Sequence, residues 1–268
     1  NFPSFENLLA ENFYIDDKIE KALLSYKKIK DYGEIYDWHA SKQTAIILIN
    51  KKNKLKKGIN IMSHSFKKLS NPNVYQIYDY ANFLKNNEEF KDSIKLYTEV
   101  LNSIDIRHQL YPRATDGRGI ANERLGNWKI AEKDFLQSLE VSPDQAYVIN
   151  YLAYSWIEKG INIEKSLKML KKANELKPND GYITDSLGWA LYKLKKFSEA
   201  KKYLELAVKL MPSDPIVNDH YADSLWMLNQ NLQARYHWEY VLNLKETDEK
   251  LRIKINDKLL FGPNFQTR

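Results

Sequence analysis

The side chains able to do chemistry in this chain are few and scattered. Five histidines, His39, His64, His108, His220 and His237, share no metal-ligand spacing, and no HExxH pair occurs. Cysteine is absent, which excludes thiol nucleophiles, zinc–thiolate sites and disulfides. Asp219-His220, with Asp223 one helical turn on, is the cluster where an imidazole and two carboxylates converge. Such a group could move a proton or hold a metal, although packed or surface histidine is the commoner use. Gly117-Arg118-Gly119 hints at a phosphate loop, but a dinucleotide fingerprint needs a preceding strand and a third glycine, where this chain has Asn122. Lys51-Lys52-Asn53-Lys54-Leu55-Lys56-Lys57 is the densest basic run. It lacks the interleaved aromatics that single-strand binding favours and reads as a solvated turn, with anionic lipid or nucleic acid as the rival. No catalytic residue, metal ligand or cofactor is assigned, and the chain is read as a non-enzyme.

The elements that carry these residues are legible from composition and period. Hydrophobic residues make up 43% and aromatics 13%, too apolar for a disordered chain, while 9 Gly and 8 Pro are too few for a many-stranded β fold. Small residues recur at Ala22, Gly58, Ser93, Ala131, Ser166, Ala200 and Ala234, spaced 36, 35, 38, 35, 34 and 34 apart. A large apolar side chain follows each by four positions, from Tyr26 and Met62 to Leu204 and Trp238, which marks one face of a helix. A second series, Ala10, Ala45, Ala81, Gly119, Ala153, Gly188 and Ala222, precedes the first by about twelve residues. Each unit therefore holds two helices whose small residues permit close backbone approach. Pro143, Pro178 and Pro212 end second helices, and Asn179-Asp180-Gly181 and Ser213-Asp214-Pro215 supply turns.

The stretch Leu187-Gly188 through Ala200, Ala207 and Pro212 resembles the tetratricopeptide repeat (TPR), with those residues at the family's signature positions. Thr184 stands where the family often has Trp, and Leu191 where it often has an aromatic. The wording of 185–192 and 212–220 is also similar to exported repeat proteins of α-proteobacteria. The resemblance implies an all-α, right-handed superhelical α-solenoid of about seven helix pairs. The units run roughly 3–36, 37–73, 74–111, 112–145, 146–180, 181–214 and 215–247, followed by a capping helix at 248–261 and a tail at 262–268. In the family, first helices line a concave groove through residues three before, one after and four after the small residue. Mapped onto this chain, those positions include Asn150 and Tyr154, then Asp185, Trp189 and Tyr192, then Asp219, Asp223 and Trp226. Tyr147 adds an aromatic one turn earlier. Tyr78, Asn82 and Lys85 hold the same positions in the third unit, and Asp116, Ile120 and Glu123 in the fourth. The resemblance thus implies an exposed aromatic and acidic groove that binds a neutral to basic peptide or protein. Asp at these positions argues against a clamp for a C-terminal carboxylate.

The net charge of +6 is patchy: +5 over 1–70, −3 over 71–145, +4 over 146–214 and zero over 215–268. That distribution does not favour nucleic acid. The longest apolar run, Ala45–Ile49, is too short to span a bilayer. Phe2, Phe5, Leu8 and Leu9 lack an equivalent cap, so an upstream segment, another chain or an oligomer contact is expected over the first unit. The start at Asn1 rather than Met leans toward a removed export signal and a periplasmic site. Two rivals stand beside the peptide receptor: a structural subunit of an envelope complex, and the non-catalytic arm of a longer enzyme.

Overall fold

The computed structural model describes residues 2–263, so 264–268 of the expected tail lie outside the described residues. It is an all-α helical repeat solenoid, with fifteen α-helices and no strand among the described residues. Two compact units divide the chain, Asn1–Val141 and Ser142–Arg268.

The N-terminal unit holds α1 (Phe2–Ile15), α2 (Ile19–Ile29), α3 (Glu34–Lys52), α4 (Leu55–Lys68), α5 (Val74–Asn86), α6 (Phe90–Ser103), α7 (Tyr111–Arg124) and α8 (Trp128–Val141). The C-terminal unit holds α9 (Ala146–Glu158), α10 (Ile163–Leu176), α11 (Gly181–Lys193), α12 (Phe197–Leu210), α13 (Pro215–Met227), α14 (Asn231–Asn243) and α15 (Glu249–Phe261). Odd-numbered helices up to α13 are the first members of pairs and pack against the even-numbered ones that follow. Within the C-terminal unit α9, α11 and α13 lie side by side.

Local chemistry sets the ends. Asn73 caps α5 with a reciprocal Gln76 contact, while Asp180, Asp214 and Asp248 cap α11, α13 and α15 through backbone N–H groups. Asn53, Asn162, Asn179 and Asn229 take left-handed backbone at turns between helices, a conformation asparagine tolerates better than most residues.

The fourteen small residues of the two series are all buried. They are where paired helices touch. A Cβ on Gly188 would stand 2.6 Å from Leu204 Cγ, and one on Gly119 2.8 Å from Phe135 Cε1. Gly119 is thus a packing glycine, and Gly117-Arg118-Gly119 lies inside α7, where the Arg118 guanidinium grips the buried Asp134 carboxylate with both oxygens. The large residues four positions on fill the flanking grooves: Tyr97, Phe135, Leu170, Leu204 and Trp238 are fully buried. At the chain's last pair, Leu251 and Ile255 of α15 join Ala222, Leu225, Trp238 and Val241 in one cluster. At its first, Phe2, Phe5 and Leu8 of α1 are exposed and Leu9 is half-buried.

Candidate functional site

The face formed by α9, α11 and α13 carries all nine expected binding residues, but it seals several of them. Asp185, Trp189, Asp219 and Asp223 are buried rather than exposed, which corrects the expectation of an open acidic groove. The cause is the next helix along: α13 lies over Asp185 and Trp189, and the capping helix α15 over Asp219 and Asp223.

His220 of α13 is the hinge of this seal. Its Nδ1 lies 3.0 Å from both carboxylate oxygens of Asp185 on α11. Its ring stacks on Trp189 at 3.9 Å between centroids and 11° between planes, and Tyr154 of α9 sits 6.5 Å away. Trp189 in turn stacks on Tyr192 at 4.6 Å, donates Nε1–H to Glu158 at 2.7 Å and lies beneath the Lys193 ammonium. Burial pushes the His220 pKa down, but the Asp185 charge and hydrogen bond, helped by Asp219 and Asp223, outweigh it and raise the pKa. The imidazole therefore bridges two repeats in a contact that favours its protonated form.

The acids of α13 are satisfied by α15. Lys258 Nζ lies 2.5 Å from Asp219 and 2.6 and 2.8 Å from the two oxygens of Asp223. Lys254 reaches Asp219 at 3.2 Å, and Trp238 Nε1 donates to the same carboxylate at 3.2 Å. Burial raises the Asp219 pKa, but the Lys258 and Lys254 charges overcome it and leave the group below its ordinary value. Asp223 goes the other way, to about 6, because burial and the Asp219 charge together exceed what Lys258 returns. The lysines were the residues the sequence reading missed. Their signal was available: Lys254 and Lys258 are spaced i, i+4, as are Asp219 and Asp223.

Five of the nine remain at least partly open. Tyr147 is exposed, with its hydroxyl donating to Asp180 at 3.0 Å and Lys177 over its ring. Tyr154 and Tyr192 are half-buried, and burial raises both phenol pKa values. Asn150 is half-buried, and its carboxamide oxygen is buried without a hydrogen-bond partner. Trp226, also half-buried, packs on Trp238 at 5.4 Å between centroids. In the N-terminal unit, burial raises the Asp116 pKa to about 6 against the Lys85 charge. Lysines 168, 171, 172, 202 and 209 are exposed on the second helices, and Lys201 is half-buried.

No group of three or more His, Asp or Glu able to hold a metal exists among the described residues, and no described helix is long and apolar enough to cross a membrane. The charged cluster is closed by its own counter-ions and acts as a clasp between helices.

A TPR repeat-containing protein of Pseudomonas aeruginosa is 27% identical over 130 residues, 46% of this chain. The match spans only 20% of that relative's length. Among solved structures, a tetratricopeptide repeat protein from Parabacteroides merdae has a TM-score of 0.63 at 16% identity, covering 83% of this chain and 85% of that one. A thermophilic TPR protein of Thermus thermophilus gives 0.57 at 16% identity, over 70% and 100%. MamA AMB-1 gives 0.53 at 21% identity, over 63% and 98%. These likenesses show a shared fold. The tetratricopeptide repeat profile itself matches residues 17–246, which hold thirteen of the fourteen paired small residues, and the chain belongs to that family.

Proposed function

We propose that this chain is a protein-interaction scaffold whose C-terminal unit docks a peptide segment or partner protein on the α9–α11–α13 face. The observation that carries the reading is the unsealed remainder of that face. Tyr154 and Tyr192 present half-buried rings, and Asn150 holds a buried carboxamide oxygen with no partner. Half-buried aromatic rings suit a ligand that brings apolar surface.

The partner's charge matters less than an acidic groove would imply. Asp185, Asp219 and Asp223 are engaged by His220, Lys254 and Lys258, so their fields are largely cancelled at the surface. A neutral segment is therefore preferred over a strongly basic one. A second reading, assembly through the first helix, draws on the exposed Phe2, Phe5 and Leu8.

Site-specific photocrosslinking separates the two. A photoreactive phenylalanine replaces Tyr154 or Tyr192 in one set, Leu8 in a second, and the exposed Leu206 of α12 as control. Crosslinked partners from the source organism's lysate at the tyrosine positions, absent at Leu206, support docking on this face. Crosslinks at Leu8 alone refute it and favour assembly.

A further inference from the structure

The turns inside the first two helix pairs share an edge that the first helices do not line. Asp16-Asp17-Lys18 joins α1 to α2, and Asn53-Lys54 joins α3 to α4. Ion pairs hold the two turns together: Lys51 Nζ lies 2.8 Å from Asp17, and Lys52 bonds Glu20. Lys18 occupies Asp16 at 2.8 Å, so all three acids of residues 15–20 are neutralised.

Three lysines are left over. Lys54, Lys56 and Lys57 are exposed and enter no ion pair among the described residues. From Lys54 to Lys68 the chain holds five lysines and no acid. Two aliphatic tips stand with these charges: Leu55, 46% exposed, and Ile15, 79% exposed. An aliphatic tip among unpaired ammonium groups has the composition of a membrane-interface contact. There the cations meet lipid phosphates and the tip enters beneath them. Other polyanions fit less well. No Arg occurs before Arg107, so the edge offers no bidentate fork to a fixed phosphate. No aromatic residue stands in 51–57 for a base to stack on.

We propose that the edge formed by the α1–α2 and α3–α4 turns docks on an anionic lipid surface, with Lys54, Lys56 and Lys57 against headgroup phosphates and Leu55 and Ile15 in the interface. This contact uses no residue of the α9–α11–α13 face and stands whether or not a partner docks there.

The test is flotation of the full chain with vesicles of phosphatidylcholine, alone or in a two-to-one mixture with phosphatidylglycerol. Binding is expected to the anionic vesicles only, and to weaken as salt rises. Lys56→Gln with Lys57→Gln should weaken it about thirty-fold, from about five-fold for each lysine at the surface. Lys67→Gln with Lys68→Gln removes the same charge from exposed positions at the other end of α4, about 17 Å along the helix and about two Debye lengths away. That pair should change affinity by less than about three-fold. The chain has no cysteine, so Leu55→Cys can carry a single environment-sensitive dye. Its emission should shift to the blue on anionic vesicles and be quenched by nitroxide lipids, while the same dye at the exposed Leu206 stays unchanged. A chain that does not float with the anionic vesicles overturns the proposal. So do equal losses from the two lysine pairs, which would mean attraction to net charge alone, and a Leu55 dye that remains in water. Tighter binding to duplex DNA than to anionic vesicles at the same salt, lost with Lys56 and Lys57, overturns it in favour of nucleic acid.

Discussion

Removing the Lys258 ammonium while keeping its volume, Lys258→Met, tests whether α15 is held by charge or only by Leu251 and Ile255. Asp219 would retain Lys254 at 3.2 Å and Trp238 Nε1 at 3.2 Å. Asp223 would lose both of its contacts, 2.6 and 2.8 Å, while 3% exposed. Breaking a buried ion pair from one side costs about 3–5 kcal/mol, because the remaining charge stays desolvated. Protonation relieves that cost. Asp223 already binds its proton up to about 6 against an ordinary 3.8, so its ionisation weakens the fold as pH rises through that interval. In the variant the shift is larger still. The full penalty is therefore expected at about pH 8, falling to about 1–2 kcal/mol at about pH 5, where Asp223 is neutral and only one Asp219 contact is lost. Adding Asp223→Leu should bring the cost at about pH 8 below about 2 kcal/mol. The assay is urea unfolding by far-UV ellipticity, with amide hydrogen exchange in α15 to catch the end helix opening first, as repeat arrays can do. A cost under about 1 kcal/mol at about pH 8, or one indifferent to pH, would refute the clasp.

Other substitutions probe the remaining contacts. His220→Gln should flatten the pH dependence of the melting temperature near neutrality. A histidine whose folded pKa is raised stabilises below the ordinary value of 6.5 and loses that contribution as pH climbs through the folded one. An unchanged slope would mean Asp185 does not hold a charged ring. Trp189→Ala should cost about 3–5 kcal/mol, because the ring is 5% exposed and stacked on both sides, and chemical denaturation reads this directly. Gly188→Leu and Ala200→Leu should each cost roughly 1–3 kcal/mol or more by overpacking. A thermal melt unaltered by both would place the helix crossing elsewhere. Dialysis against EDTA should leave the melt unchanged, and a fall in stability would reveal a bound metal.

The repeat was legible because its cause is local: a small residue is required wherever two helix backbones cross. Gly188 against Leu204 and Gly119 against Phe135 show that requirement at atomic distance. Helix ends were readable for the same reason, from Pro143, Pro178 and Pro212 and from the turn sequences 179–181 and 213–215. Exposure was not legible, since it depends on what the following unit presents. Trp189 looks like a surface anchor until His220 is laid over it, and the partner of Asp223 stands thirty-five positions away on α15. A short-range pattern does not contain that pairing, although two acids and two lysines both at i, i+4 were a hint of it.

Sealing also separates the positions that hold the fold from those left for a ligand. The residues three before and one after the small residue meet the next first helix. Where the following helix brings a basic group, as α13 brings His220 to Asp185 and α15 brings Lys258 to Asp219 and Asp223, the position becomes a clasp. Asn150 in α9 meets no such cation and retains a buried oxygen without a hydrogen-bond partner. Tyr192 and Ile49, each four after a small residue, reach past the seam and are half-buried, whereas Ile157 at the same position is buried. Charge on this protein's first helices thus works inward, on cohesion between repeats. Under the docking proposed above, the half-buried rings of Tyr154 and Tyr192 are what those helices leave for a partner.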